Sequence, residues 1–600
     1  VLEEKDFKDT RNLLPFLRRI FGYTLHHPRF LWGIVGTTAL VAALEAVFPL
    51  VWMHYIDHLI VPNITAFSHG ESWDLAGWLE YATLFFGIIL VQVLATAWMI
   101  WCGGNIKEHV IYDLRKAMFN RLQELSFSFY DRSATGWLLS RITSDTDRVA
   151  DLISWGLLEL VWGTGMIIFC FMAMFWFSPS LALVVLLTIP LLFVVSVRVR
   201  AMILQYSRKA RKLNSELTAS YHENINGLEV NKTTVQETRA SEKFNVLSNQ
   251  MQQASYKSSF YAAMYAPLVV MVGSVAAAGI VYLGGHMALQ ETAGITLGTL
   301  AAFFTYSRVI FFPIFDITRF YALAQSSMSA GERIFSLIDE KPSIVDQPGA
   351  TDYGLLKGEI TFRQVSFYYV EEKPILQGFD LHIRAGESVA LVGPTGEGKT
   401  TIASLIARFY EPQAGQLLID GTDYREHTLH SLRAQLGIML QTPHLFSGTI
   451  RHNICYGSPM ATDEAVVAAL EAIGATTFID RLDEEVGEDG GNLSIGEKQL
   501  LAFARTLVKN PRILIMDEAT SSVDTLAEKK IQQGIREIIK GRTSLLIAHR
   551  LSTIRHCDRI LVIRKGQIAE EGDHQSLMAL KGDYYRLYTG QGTTKAADLH

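Results

Sequence analysis

Six long apolar runs fill most of the first 325 positions, after which short apolar runs alternate with polar ones to the end of the chain. The runs lie near Phe30–Met53, Tyr81–Cys102, Trp155–Phe177, Leu181–Val197, Phe260–Leu283 and Thr296–Phe320. Each is long enough to cross roughly 30 Å of hydrocarbon. An amphipathic stretch before the first, 13–23, is expected to lie in the membrane interface as a helix. Positions 54–80, 178–180 and 284–295 hold no Lys or Arg, whereas 103–152 and 198–258 are rich in both. The positive-inside rule then puts both long connections, both termini and everything after the sixth run on the cytoplasmic side of a cytoplasmic (inner or plasma) membrane.

The two long connections have helical periodicity: Ile111, Leu114, Met118 and Leu122 in one, Leu213, Leu217, Tyr221 and Ile225 in the other. Membrane helices are therefore expected to run on into the cytoplasm, each pair ending in a short crossing segment. The segments expected are Ala134–Leu139 and Asn226–Val230, where Gly136 and Gly227 permit a turn. Residues 1–325 thus form a transmembrane domain. Residues 326–357, with a helix ending near Asp339 and then Glu340-Lys341-Pro342 and Pro348-Gly349, read as a linker. From 358 to 590 strands alternate with helices, the pattern of an α/β domain with a partly parallel sheet. A tail, 591–600, follows.

The first chemistry lies in Gly393-Pro394-Thr395-Gly396-Glu397-Gly398-Lys399-Thr400, which fits G-x-x-x-x-G-K-[ST]. An apolar strand pattern precedes it and a helical one, from Thr401, follows. Backbone N–H groups of such a loop wrap phosphates, Lys399 would reach the outer phosphates, and the Thr400 hydroxyl would ligate Mg²⁺. Glu397 is unusual in a polyanion site, and its side chain is expected to point outward.

With this loop behind six spans, almost the whole chain resembles the ATP-binding cassette (ABC) exporters. The resemblance rests on several motifs in order. Ile513-Leu514-Ile515-Met516-Asp517-Glu518 is similar to the second nucleotide motif, in which Asp517 would orient Mg²⁺ and Glu518 would polarise the attacking water. Ser521-Ser522-Val523-Asp524 matches the D-loop. His549 matches the switch histidine at the γ-phosphate, Gln441 the Mg²⁺-sensing glutamine, and Tyr369 the aromatic residue that stacks on adenine. The signature segment departs from the family's L-S-G-G-Q, reading Leu493-Ser494-Ile495-Gly496-Glu497. Ser494 and Gly496 keep the phosphate-facing pattern, while Ile495 replaces a glycine and Glu497 a neutral amide.

The resemblance implies a half-transporter: a type IV membrane fold of six helices with long cytoplasmic extensions, fused to a P-loop ATPase domain. ATP and Mg²⁺ are the implied cofactors. The implied activity is ATP-driven export of a hydrophobic or amphipathic drug, lipid or peptide by alternating access. An importer on the same fold, or an ATP-gated channel or regulatory receptor, are the alternatives. One loop and one signature per chain imply a dimer. Intact hydrolytic residues beside an altered signature favour a second, unlike half-transporter over a homodimer.

Composition changes this little. Six hundred residues exceed one core. A net charge of −6 gives no reason to expect nucleic acid. The four cysteines lack metal or disulfide spacing, and the charged start through Arg11 lacks a cleavable signal pattern. Glu45, Gln92 and Arg308 fall roughly 10–20 Å deep in their spans. Ionised groups at that depth should face a cavity or pair, and a Glu45–Arg308 ion pair is one reading. His54, Asp57, His58 and His69 hint at metal, against which a solvated outer loop is the preferred reading.

Overall fold

The computed structural model describes residues 13–69, 75–290, 295–439, 443–518, 525–548 and 554–590. They form two compact units. One comprises the described residues up to Leu122 with Thr135–Asp339; the other, Gln123–Ala134 with the chain from Glu340 onward.

The first unit is helical. Among the described residues five helical stretches are long and apolar enough to cross a membrane: Pro28–Ser68, Ala76–Glu124, Thr135–Phe177, Pro179–Asn226 and Glu237–Leu289. At about 1.5 Å per residue, the helix Leu75–Glu124 spans about 75 Å, far more than a hydrocarbon layer. Helices Pro179–Asn226 and Glu237–Leu289 run beside each other, with Ser196 and Tyr265 hydrogen-bonded at 2.9 Å and the rings of Tyr206 and Tyr261 stacked. The amphipathic helix Leu13–Leu25 buries Phe16 and Ile20. Phe16 packs so tightly on Gly331 that a Cβ there would lie 2.1 Å from the ring.

Three expectations need correction. The sixth apolar run is not one helix: Leu297–Val309 and Phe311–Ile338 meet at Ile310. Pro313 supplies no N–H to continue the hydrogen-bond ladder across that point. The first connection is not a loop from residue 54, because π-type turns at Ile56–Ile60 carry the helix on to Ser68. Asp57 sits on that helix and accepts hydrogen bonds from the Gly298 N–H at 2.8 Å and the Thr296 hydroxyl at 2.5 Å, capping helix Leu297–Val309. No metal-binding cluster occurs among the described residues. The first crossing helix is Phe127–Tyr130, not Ala134–Leu139, for the chain turns at 131–134 and Gly136 lies inside the next helix, Thr135–Ser140. At the second crossing, Gly227 ends the long helix and Leu228–Thr233 follows.

The Glu45–Arg308 ion pair is likewise absent. Glu45 accepts from the Trp162 indole at 2.8 Å and the Gln92 amide at 3.3 Å, while Arg308 is exposed in this chain.

Among its described residues the second unit contains ten strands, β1 Ile360–Val370, β2 Lys373–Ile383, β3 Ser388–Val392, β4 Ala414–Ile419, β5 Thr422–Asp423, β6 Leu436–Met439, β7 Ile513–Glu518, β8 Thr543–Ala548, β9 Arg559–Arg564 and β10 Gln567–Gly572. An antiparallel sheet has the order β2-β1-β4-β5; the main sheet has the order β10-β9-β3-β8-β7-β6, parallel from β9 to β6. Every β3 residue is buried, as a continuous apolar run in a two-sided parallel sheet should be. Gln123–Ala134 belongs to this unit although it lies far upstream in sequence. Phe127 stacks near Phe409 there, and the Ser126 and Ser343 hydroxyls meet at 2.5 Å.

Candidate nucleotide-binding site

Parallel strands put all their carboxyl ends on one edge of the sheet. Leu391 on β3 pairs with Ile547 on β8, and Ile547 with Asp517 on β7. The loop leaving β3 and the acid ending β7 therefore stand one strand apart on the same edge, where ligands of open α/β sheets bind.

The loop is held in shape by glycine. Gly393 has φ +145°, and a Cβ there would meet the Ile563 carbonyl at 2.3 Å. Gly398, at φ +98°, starts helix Lys399–Ile406, and no side chain caps it. Its first N–H groups thus remain available to an anion, and the helix dipole favours one. Lys399 is buried, its ammonium donating to the carbonyls of Gly393 at 2.8 Å and Pro394 at 2.6 Å. Burial pulls its pKa below the ordinary lysine value, while the charges of Glu397 and Asp517 oppose that shift. A desolvated cation beside uncapped N–H groups suits a polyphosphate, so the residues present fit ATP.

The remaining candidates divide. Glu397 turns its carboxylate to the backbone N–H of Lys565 in the β9–β10 turn. Thr400 is exposed at the helix start, and the buried Thr401 hydroxyl lies 3.4 Å from that of Tyr369. Tyr369 is half exposed, its ring edge-on to Phe367 and Tyr410 at 4.9 and 5.0 Å. Ser494 caps helix Ile495–Lys509, with Gly496 buried in its first turn. Gln441, Ser521–Asp524, His549 and the side chain of Glu518 lie outside the described residues; the Glu518 backbone pairs with Ala548.

Sequence reasoning missed Tyr410. Its hydroxyl donates to Asp131, so Tyr369, Tyr410 and the Gln123–Ala134 segment form one contact chain. The available signal was the aromatic run Phe127-Ser128-Phe129-Tyr130 inside a polar connection.

Residues 31–314 match the family model for the ABC transporter transmembrane region, and residues 376–521 match that for the ABC transporter. The chain is 36% identical over 534 residues to an ATP-dependent lipid A-core flippase of Syntrophus aciditrophicus (strain SB), covering 88% of each.

This chain is an ABC transporter.

It is also 36% identical over 513 residues to a fatty acid ABC transporter ATP-binding/permease protein of Mycobacterium bovis, 83% of this chain and 80% of that one. A bacterial Atm1-family ABC exporter, solved with ATP bound, superposes with a TM-score of 0.75 at 29% identity, over 95% of this chain and 99% of the other. The ABC transporter described here is accordingly an integral membrane protein with exporter architecture, an ATP-hydrolysing translocase whose cassette binds ATP. One membrane region and one cassette make it a half-transporter, a unit that works as a dimer.

Proposed function

We propose that this half-transporter exports an amphipathic, lipid-like molecule, with its cassette and both termini in the cytoplasm and an unlike half-transporter as its partner. The observation that carries the nucleotide part is the pairing of a buried Lys399 and an uncapped helix start with Asp517 on the same sheet edge. Two relatives are named for lipid A-core and fatty acid. A cavity of about 750 Å³ in the membrane unit supports an amphipathic cargo: apolar Leu44, Leu84, Ile88 and Val91 line it together with His54, Glu80 and Tyr81.

In this reading the loop Gly393–Thr400, with Thr401 behind it, binds the phosphates, and Tyr369 stacks on adenine. Thr400, Asp517 and Gln441 would hold Mg²⁺, which neutralises charge on the outer phosphates. Glu518 polarises the attacking water and His549 contacts the γ-phosphate. Ser494 and Gly496 serve the nucleotide held by the partner. The unlike partner is favoured because the hydrolytic residues are intact while the signature is altered.

Glu518→Gln tests the catalytic assignment. It should leave ATP binding in place and lower hydrolysis by two or more orders of magnitude, because an amide keeps the shape but not the basicity. Parental turnover in the assembled variant would refute the role of Glu518. Expressing the chain alone tests the partner: a stable two-copy particle with lipid-stimulated turnover would refute the heterodimer.

A further inference from the structure

We infer that Glu497 is an internal competitor of phosphate on this chain's signature: its carboxylate engages the donors that the signature would present to a γ-phosphate. The inference rests on the proposed role of Ser494. Ser494 is the N-cap of the 15-residue helix Ile495–Lys509. Its backbone N–H donates to Glu497 Oε2 at 2.9 Å, and its hydroxyl donates to the same oxygen at 2.8 Å. The Glu497 N–H returns a bond to the Ser494 oxygen at 3.3 Å. The motif is a capping box, which satisfies helix-end donors reciprocally.

A hydroxyl has one proton. Once that proton is given to Glu497, Ser494 cannot donate it to a phosphate as well. Charge compounds the conflict, for a carboxylate held at the helix start opposes a second anion there. Arg481 does not cancel it: its guanidinium lies 3.7 Å from Glu497 Oε1 but is bound closely to Glu484, at 2.5 and 3.0 Å. A neutral amide at 497 would still accept from the backbone N–H, but with a weaker hold on the serine proton and no charge. The substitution thus weakens the signature through hydrogen bonds already made, without deforming the helix. Opposite an unlike partner with an unaltered signature, the dimer would have two unequal nucleotide sites, with the weaker one built on this chain's signature.

The test is release of radiolabelled ATPγS from the assembled transporter in nanodiscs, comparing the parent with Glu497→Gln and Glu497→Ala. Both variants should slow release of the nucleotide facing this signature about tenfold, the scale of one charge-assisted hydrogen bond. The difference from the parent should shrink as KCl rises, since screening weakens the opposing charge. A role confined to helix capping predicts otherwise: unchanged release in Glu497→Gln, faster release in Glu497→Ala and no salt dependence, and this pattern overturns the inference. If Glu497→Gln does not assemble, Glu497→Ala decides by the same sign. Slow release lost on Ser494→Ala in the Gln background confirms that the freed donor is the serine. Failure of parent and variants alike to bind ATPγS overturns the nucleotide reading itself.

Discussion

The rings of Phe127 and Phe409 lie 4.2 Å apart, centroid to centroid, within one compact unit. Phe409 directly precedes Tyr410, the residue that holds Asp131. Phe127→Ala removes an aromatic pair, a contact of about 0.5–1.5 kcal/mol beyond its area. Amide exchange across 126–132 should rise several-fold by mass spectrometry, with exchange in β3 and β7 unchanged. Unaltered exchange in the segment would show that the ring pair does not hold it.

Tyr410→Phe and Asp131→Asn each break one exposed hydrogen bond, at a cost of about 0.5–1.5 kcal/mol. Because they break the same bond, their effects on segment exchange should fail to add in a double-mutant cycle. Affinity for ATP should change less than twofold, since Tyr369 keeps its edge-on neighbour. Additive effects would separate the two residues.

Asp57→Ala removes the acceptor of the Gly298 N–H at the start of helix Leu297–Val309, leaving Thr296 as its N-cap, and should destabilise the membrane unit by about 1 kcal/mol, read as a lower melting temperature in nanodiscs. Asp57→Asn should recover part of the loss. Equal melting of the parent and the alanine variant would rule the cap out as a stabilising element.

Trp162→Phe leaves the Glu45 carboxylate with Gln92 alone and should cost about 1.5–3 kcal/mol, the scale for a hydrogen bond to a charged group. Arg308→Ala should stay within about 0.5 kcal/mol of the parent, as expected for an exposed side chain away from buried networks. The reverse order of melting temperatures would restore the ion-pair reading.

Gly393→Ala drives a Cβ into the Ile563 carbonyl, whereas at Gly396 no atom lies within 4 Å. Both positions have positive φ, so both substitutions strain the loop, but only the first also collides with backbone. ATP binding should fall more than tenfold in Gly393→Ala and only a few-fold in Gly396→Ala, measured by equilibrium dialysis.

Much of the nucleotide site was legible because its determinants are local. The spacing of Gly393, Gly396 and Gly398 sets a loop between strand and helix, and an apolar run ending in Asp517-Glu518 marks the strand's carboxyl end. What stayed hidden depends on distant partners. Hydropathy gave Glu45 a depth but not a direction around its helix, so it suggested Arg308, whereas Gln92 and Trp162 face it. The Tyr410–Asp131 bond joins residues 279 positions apart. The extended first helix escaped notice because charged and histidine residues at 54–58 resemble a loop, although Ile56, Leu59 and Ile60 keep helical spacing.

The break at Ile310 leaves the helical hydrogen-bond ladder incomplete at one point of the membrane unit. Pro313 offers no N–H to bridge the two helices, so a change in their angle would cost no bond at that position. The outer piece is tied through Asp57 to the first spanning helix. The inner piece is clamped near its far end, where Arg333 donates twice to the buried Asp145, at 2.8 and 2.6 Å. The two pieces on either side of Ile310 are therefore anchored to different helices of the membrane unit, one through Asp57 and one through Asp145.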